Sequence, residues 1–152
     1  MTEHLQLIEK KLDHLQRMLA YLDYSLEQAQ RLIPIDDWES LTPEDHETLA
    51  AFRVRFSDFQ EHIGKTMRAV AIEEEQKTDP FTAVLLYMEK LGVIESVQAW
   101  KEMRELRNAI NHEYEENPRW LAEFFSGLLL ATPVLIDWHK NLVEFCKKNY
   151  GI

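Results

Sequence analysis

Residues 2–33 read TEHLQLIEKKLDHLQRMLAYLDYSLEQAQRLI, and the apolar positions in this stretch decide the fold. Leu5, Ile8, Leu12, Leu15, Leu19, Leu22, Leu26, Ala29 and Ile33 recur at alternating steps of three and four. Residues so spaced share one face of an α-helix, so the seam predicts one long amphipathic helix that buries a stripe against other helices. Tyr21 and Tyr24 lie off the seam and are expected to pack on neighbouring helices or else to add to a dimer surface, while His4 and His14 read as solvated.

Working outward, Pro34 to Leu41 is a connection in which Asp36-Asp37 supplies turn chemistry. Thr42-Pro43-Glu44-Asp45 opens a second helix, with Thr42 as its N-cap, and Phe52, Phe56, Phe59, Ile63, Met67 and Val70 form its core stripe. His62 beside that stripe reads as structural, with a second imidazole for the site as the alternative, and Glu73-Glu74-Glu75 reads as a solvated helix end. Asp79-Pro80 opens a short third helix that Leu91-Gly92 closes. Ser96 caps the next helix, whose stripe is Ala99, Met103, Leu106 and Ile110, with Arg107 and Tyr114 flanking it. Asn117-Pro118 restarts the chain as a last helix lined by Leu121, Phe125, Leu128, Thr132, Leu135, His139, Leu142 and Cys146. Pro133 should kink it, and His139 reads as a satisfied buried histidine. These segments predict an all-α, up-and-down four-helix bundle with an additional short helix, spanning residues 1–152 as a single domain.

Composition narrows the function. Hydrophobic residues are 45% and charged residues 29%, a globular balance, and the lone Cys146 leaves no intrachain disulfide. The Met1-Thr2-Glu3-His4 start is no signal peptide and no uninterrupted apolar run approaches about 18 residues, so a cytoplasmic protein without membrane contact is expected. There is no Gly-rich phosphate loop, no nucleophile elbow, no Cys pair and no His-x-x-x-His, which excludes the common NTPase, α/β-hydrolase and metal-site patterns; no metal and no cofactor is expected. The net charge of −10 argues against a general nucleic-acid binder. Cations are nonetheless grouped, with Arg53, Arg55, Lys65 and Arg68 in one predicted helix and Lys101, Arg104 and Arg107 in another, enough for a small basic groove.

The chemistry concentrates in Arg107-Asn108-Ala109-Ile110-Asn111-His112-Glu113-Tyr114. Arg carries a permanent charge on a planar fork that matches phosphate oxygens, and His exchanges a proton near neutrality. The pair supplies the minimum for metal-free cleavage of an RNA phosphodiester: one group moves protons at the ribose 2′-OH or the leaving oxygen, and the other stabilises charge on the phosphate. Asn108 and Asn111 are placed to orient the imidazole or bind a base edge. On one intact helix Arg107 and Tyr114 lie about 20° apart, but Arg107 and His112 about 140° apart. They converge if the helix loosens after Ile110 or if two copies pool their residues across a two-fold axis. On spacing alone a second reading stands, in which these residues cap and solvate a helix C-terminus.

Arg-x4-His-x-Tyr, here Arg107, His112 and Tyr114, resembles the signature of the HEPN superfamily and particularly of HepT-type toxins. Phe56 to Lys65, Pro80-Phe81 and Met88 to Ile94 are similar to the family stretches that precede the motif helix, and Trp100 through Tyr114 reads as that helix. The resemblance covers roughly residues 50 to 115 closely and the outer helices by pattern. It implies a helical bundle that dimerises to form a metal-independent endoribonuclease, with Arg107 and His112 as the catalytic pair and Asn108 as a supporting polar residue. It further implies a nucleotidyltransferase antitoxin that silences the toxin by transferring AMP to Tyr114, and transfer RNA as the substrate class. Nucleotide phosphate on Tyr114 would set negative charge and bulk beside Arg107, in competition with RNA. Some relatives were described instead as non-catalytic substrate-binding or partner subunits of a nucleotidyltransferase, which is the alternative function. A third reading is a helical interaction protein whose motif is only a cap.

Overall fold

The computed structural model describes residues 1–109 and 117–152. Within them lie five α-helices and a short 3-10 turn, in the order α1 (Glu3–Gln30), the turn (Trp38–Ser40), α2 (Pro43–Glu73), α3 (Phe81–Leu91), α4 (Val97–Asn108) and α5 (Pro118–Tyr150). The all-helical expectation holds. The starts are chemical: Thr2 Oγ1 accepts from Leu5 N at 3.1 Å and Ser96 Oγ from Ala99 N at 3.0 Å, and Asn117 Oδ1 accepts from Arg119 N at 3.0 Å. Thr42 and Asp45 form a reciprocal capping box at 3.0 and 3.1 Å, which satisfies two amides that the first turn leaves open. Pro80, rather than Asp79, occupies the cap position of α3, without a side-chain hydrogen bond. Gly92 ends α3 in the left-handed region at φ 77°, where a Cβ would be strained.

Side-chain partners give the helix directions. His4 meets Glu73, His14 meets His62 and Ser25 meets Arg55, so α1 and α2 run antiparallel along their length. Arg107 reaches Ser57 while Trp100 lies against Gly64, so α4 runs antiparallel to α2. Along α5, Phe125 lies by Trp38 and Tyr150 by Glu74, which makes α5 parallel to α2. The four long elements therefore alternate as an up-and-down bundle, with α3 as the extra helix packed on α2 and α4. One hydrophobic core draws on every helix, and Ile8, Leu15, Phe52, Phe56, Phe59, Val84, Leu128 and Leu142 are fully buried in it.

Several polar residues depart from the sequence reading. Tyr21 and Tyr24 are both 61% exposed and do not pack into the bundle; the Tyr21 ring instead sits 5.5 Å beneath the Arg55 guanidinium. The Glu73-Glu74 end of α2 is not merely solvated. Glu73 Oε1 lies 3.0 Å from His4 Nδ1, and the two oxygens of Glu74 accept from the hydroxyls of Tyr87 (3.2 Å) and Tyr150 (2.8 Å), tying α1, α3 and α5 to one end of α2. Burial, and then Glu74, raise both phenol pKa values, and the same causes push the buried Cys146 thiol up to about 12. The helical assignment of α5 continues through Pro133 without a break, and the preceding Thr132 hydroxyl donates to Leu128 O at 2.7 Å. By length and composition α5 contains a window of 18 residues, of mean hydropathy 1.4, apolar enough to cross a membrane; in this bundle α5 packs on α1, α2 and α4.

His139 is buried, as expected, but not satisfied. It is 3% exposed, rests against Phe59 at 5.2 Å, and neither ring nitrogen has a hydrogen-bond partner among the described residues. Burial, reinforced by Lys140, lowers its pKa below the usual 6.5. Because folding lowers that pKa, the unfolded chain takes up the proton first as pH falls. Above about pH 6.5 this titration leaves stability unchanged, and on acidification through and below that value stability falls, because the unfolded chain is protonated and the buried ring is not. His139→Leu should raise stability at pH 7 by about 1–2 kcal/mol, since it removes buried polar atoms without partners. It should also flatten the loss of stability between about pH 6.5 and 5, where one titrating proton contributes at most about 1.4 kcal/mol per pH unit. Urea midpoints across that range measure both; parallel pH profiles for the two proteins would contradict the assignment.

Candidate functional site

On α2, Ser57, Glu61, Gly64, Lys65 and Arg68 fall on one stripe about 100° wide, opposite the phenylalanine stripe that builds the core. On α4, Trp100, Arg104 and Arg107 fall within about 60° of one another. Since the two helices are antiparallel neighbours, these stripes face each other and form the walls of a groove of about 290 Å³ closed by Phe81 of α3. Among the described residues its charged lining is four cations, Lys65, Arg68, Arg104 and Arg107, against the single carboxylate of Glu61. The whole chain has 17 Lys and Arg against 27 Asp and Glu, so the local balance is reversed.

Arg107 is the most constrained of the four. It stands in the last turn of α4, where a cation is favoured by the helix dipole. Its Nε donates to Ser57 Oγ at 3.2 Å, and a terminal nitrogen lies 3.6 Å from Glu61 Oε2. Glu61 also pairs with Lys65 at 3.6 Å along α2. The Arg107 side chain keeps 29% of its surface exposed, so the guanidinium is oriented from one side and open to the groove on the other. An exposed ion pair of this kind contributes little to stability, and orientation is its main consequence.

The groove floor is built by a glycine inside a long helix, a position that costs about 1 kcal/mol relative to Ala. A Cβ on Gly64 would lie 3.2 Å from Trp100 Cζ2 and 3.7 Å from Phe81 Cζ, so Gly lets the indole approach the α2 backbone. Trp100 is in turn stacked on Trp138 at 5.6 Å, and Trp138 Nε1 donates to Glu95 Oε2 at 2.7 Å. Gln60, only 2% exposed, lines the same groove, and its Oε1 has no hydrogen-bond partner among the described residues. Another groove, of about 240 Å³, runs between α4 and α5 along Ala99, Glu102, Met103, Leu106, Ala131, Val134 and Trp138, and Leu130, 77% exposed, is an apolar neighbour in sequence.

The residues singled out from sequence divide. Arg107 is the one placed in a defined site, and Asn108 is exposed at the last position of α4. Asn111, His112 and Tyr114 lie outside the described residues, as does Ile110, so the expected run of the motif helix to Tyr114 and the angle between Arg107 and His112 fall there too. His62 is turned away, its Nδ1 2.9 Å from Asp58 O and its ring edge-on to His14 of α1. Of the grouped cations, Lys65, Arg68, Arg104 and Arg107 meet, whereas Arg55 crosses to α1 and donates to Ser25 Oγ at 2.7 Å, Arg53 is buried, and Lys101 is exposed outside the groove lining. Gln60, Glu61, Gly64 and Trp100 were not legible as site residues, although a glycine amid Lys65 and Arg68 in an otherwise unbroken helix was the available signal. Comparison of the chain with protein-family models, with curated proteins and with solved structures returns no match.

Proposed function

We propose that the chain is the toxin of a HEPN/nucleotidyltransferase toxin–antitoxin pair, a homodimeric, metal-independent endoribonuclease acting on RNA, with transfer RNA as the substrate class. The observation that carries this reading is Arg107, held by Ser57 and Glu61 at the edge of a cationic groove on an otherwise acidic protein and five residues before His112. His112 takes the proton of the ribose 2′-OH as its oxygen attacks phosphorus, and a protonated imidazole returns one to the departing 5′ oxygen. Arg107 binds the phosphate and stabilises the charge that builds on its oxygens. Asn108 and Asn111 support that arrangement, and a second copy covers the apolar face of α4 and α5. Transfer of AMP by the nucleotidyltransferase to Tyr114 silences the site by competing for Arg107.

Inducible expression of the chain alone separates this reading from that of a non-catalytic partner subunit. The toxin should arrest growth with loss of intact transfer RNA, and co-expression of a nucleotidyltransferase partner should relieve the arrest and leave the mass of AMP on Tyr114. Free expression with intact RNA, from folded chain lacking AMP, supports the partner-subunit reading instead.

A further inference from the structure

The groove between α2 and α4 extends beyond Arg107, and its far wall has no part in the chemistry just described. We infer that it is a substrate subsite that seats the sugar–phosphate backbone and one base of a single-stranded RNA next to the scissile phosphate, with Glu61 occupying its anion position in the free protein. The identity of the ligand as RNA rests on the ribonuclease reading; the existence of an anion-binding groove does not.

Three observations converge. Arg104 stands one turn before Arg107 on α4, about 4.5 Å along the axis, and faces Lys65 and Arg68 of α2 across the groove, so cations line both walls. On a chain of net charge −10, RNA is repelled by the surface as a whole, and this local reversal is where a polyanion finds favourable potential. Next, the volume of about 290 Å³ sits at the lower end for ligand pockets, which suits one nucleotide unit and is too narrow for a duplex. Finally, the lining contains what a phosphate alone would not use: the partly exposed Phe81 ring, and Gln60, whose amide oxygen has no donor among the described residues. A buried acceptor without a donor calls for an N–H group, and the amino edge of an unpaired base provides one beside an aromatic ring. Glu61 lies 3.6 Å from both Lys65 and Arg107, so a bound phosphate must share or displace its hold on the same cations.

The test is binding of a fluorescein-labelled 2′-O-methyl oligoribonucleotide of about eight residues, whose blocked 2′ oxygens prevent cleavage, to the full chain at several salt concentrations. Arg104→Glu and Arg68→Glu, both at exposed positions, should each weaken binding about tenfold or more, and each lost phosphate contact should lower the salt slope by about 0.7. Glu61→Gln should change affinity in the opposite direction, tightening it severalfold. Lys147→Glu, exposed in the last turn of α5, should leave it within about twofold. A duplex of the same sequence should bind more weakly than the single strand. Unchanged binding by the Arg104 and Arg68 variants, no binding by the parent, or tightening that fails to follow Glu61→Gln overturns the subsite. If the oligonucleotide binds through these residues while unmodified RNA is left uncut, the subsite stands and the catalytic reading fails. If RNA is cut and the groove variants bind and cut like the parent, the subsite falls and the catalytic reading stands.

Discussion

Arg107→Ala is expected to lower RNA cleavage by about a thousandfold with little loss of stability, the cost of removing one preorganised group that stabilises developing charge. Its only strong contacts among the described residues are with Ser57 and with Glu61, and neither is deeply buried, so the fold does not depend on them. Arg107→Lys should recover little of the activity. An ammonium keeps the charge but cannot donate to Ser57 and present a planar fork to phosphate at the same time. His112→Ala should fall by a comparable factor, about a hundredfold to ten-thousandfold for loss of general acid–base catalysis. The paired readout matters, because an Arg107→Ala protein that melts like the parent and still cuts at the parental rate would place the chemistry elsewhere.

Trp138→Ala should produce the largest loss of stability, about 3–5 kcal/mol, the range for truncating a large buried aromatic. Trp138 is 1% exposed, stacks on Trp100 and donates its indole N–H to Glu95, so truncation opens a cavity and removes that hydrogen bond. In a domain of this size that corresponds to a fall in Tm of about 10 °C or more. Trp138→Phe keeps a ring against Trp100 but not the hydrogen bond, and should cost less, about 1–2 kcal/mol. Because Trp100 forms the groove floor against Gly64, the milder variant should also weaken binding in the groove while the protein remains folded. Thermal melts within a degree or two of the parent for Trp138→Ala would contradict this account of the core.

The fold was legible because its signals are local. The heptad seam of α1, the Thr42 N-cap, Gly92, Ser96 and Asn117-Pro118 are local signals, and each is found where the spacing puts it. What sequence could not supply is which polar face meets which. Whether Arg55 turns to α1 and Arg68 to α4 depends on the packing of three helices, and so does the partnership of Glu74 with phenols far along the chain. His139 shows the same limit: periodicity placed it on the buried face, but the absence of a hydrogen-bond partner among the described residues is a tertiary fact. Arg107 was legible as chemistry from its neighbours in the motif, while Ser57 and Glu61, fifty and forty-six residues earlier, enter the site only through the antiparallel register of α2 and α4.

The most direct measurement is cleavage of bulk transfer RNA by the purified chain in EDTA, with His112→Ala assayed beside it at the same concentration. Cleavage by the parent and none by the variant is the result expected of a metal-independent ribonuclease centred on Arg107 and His112. Intact RNA with both proteins, when the parent is folded and carries no AMP on Tyr114, would contradict it.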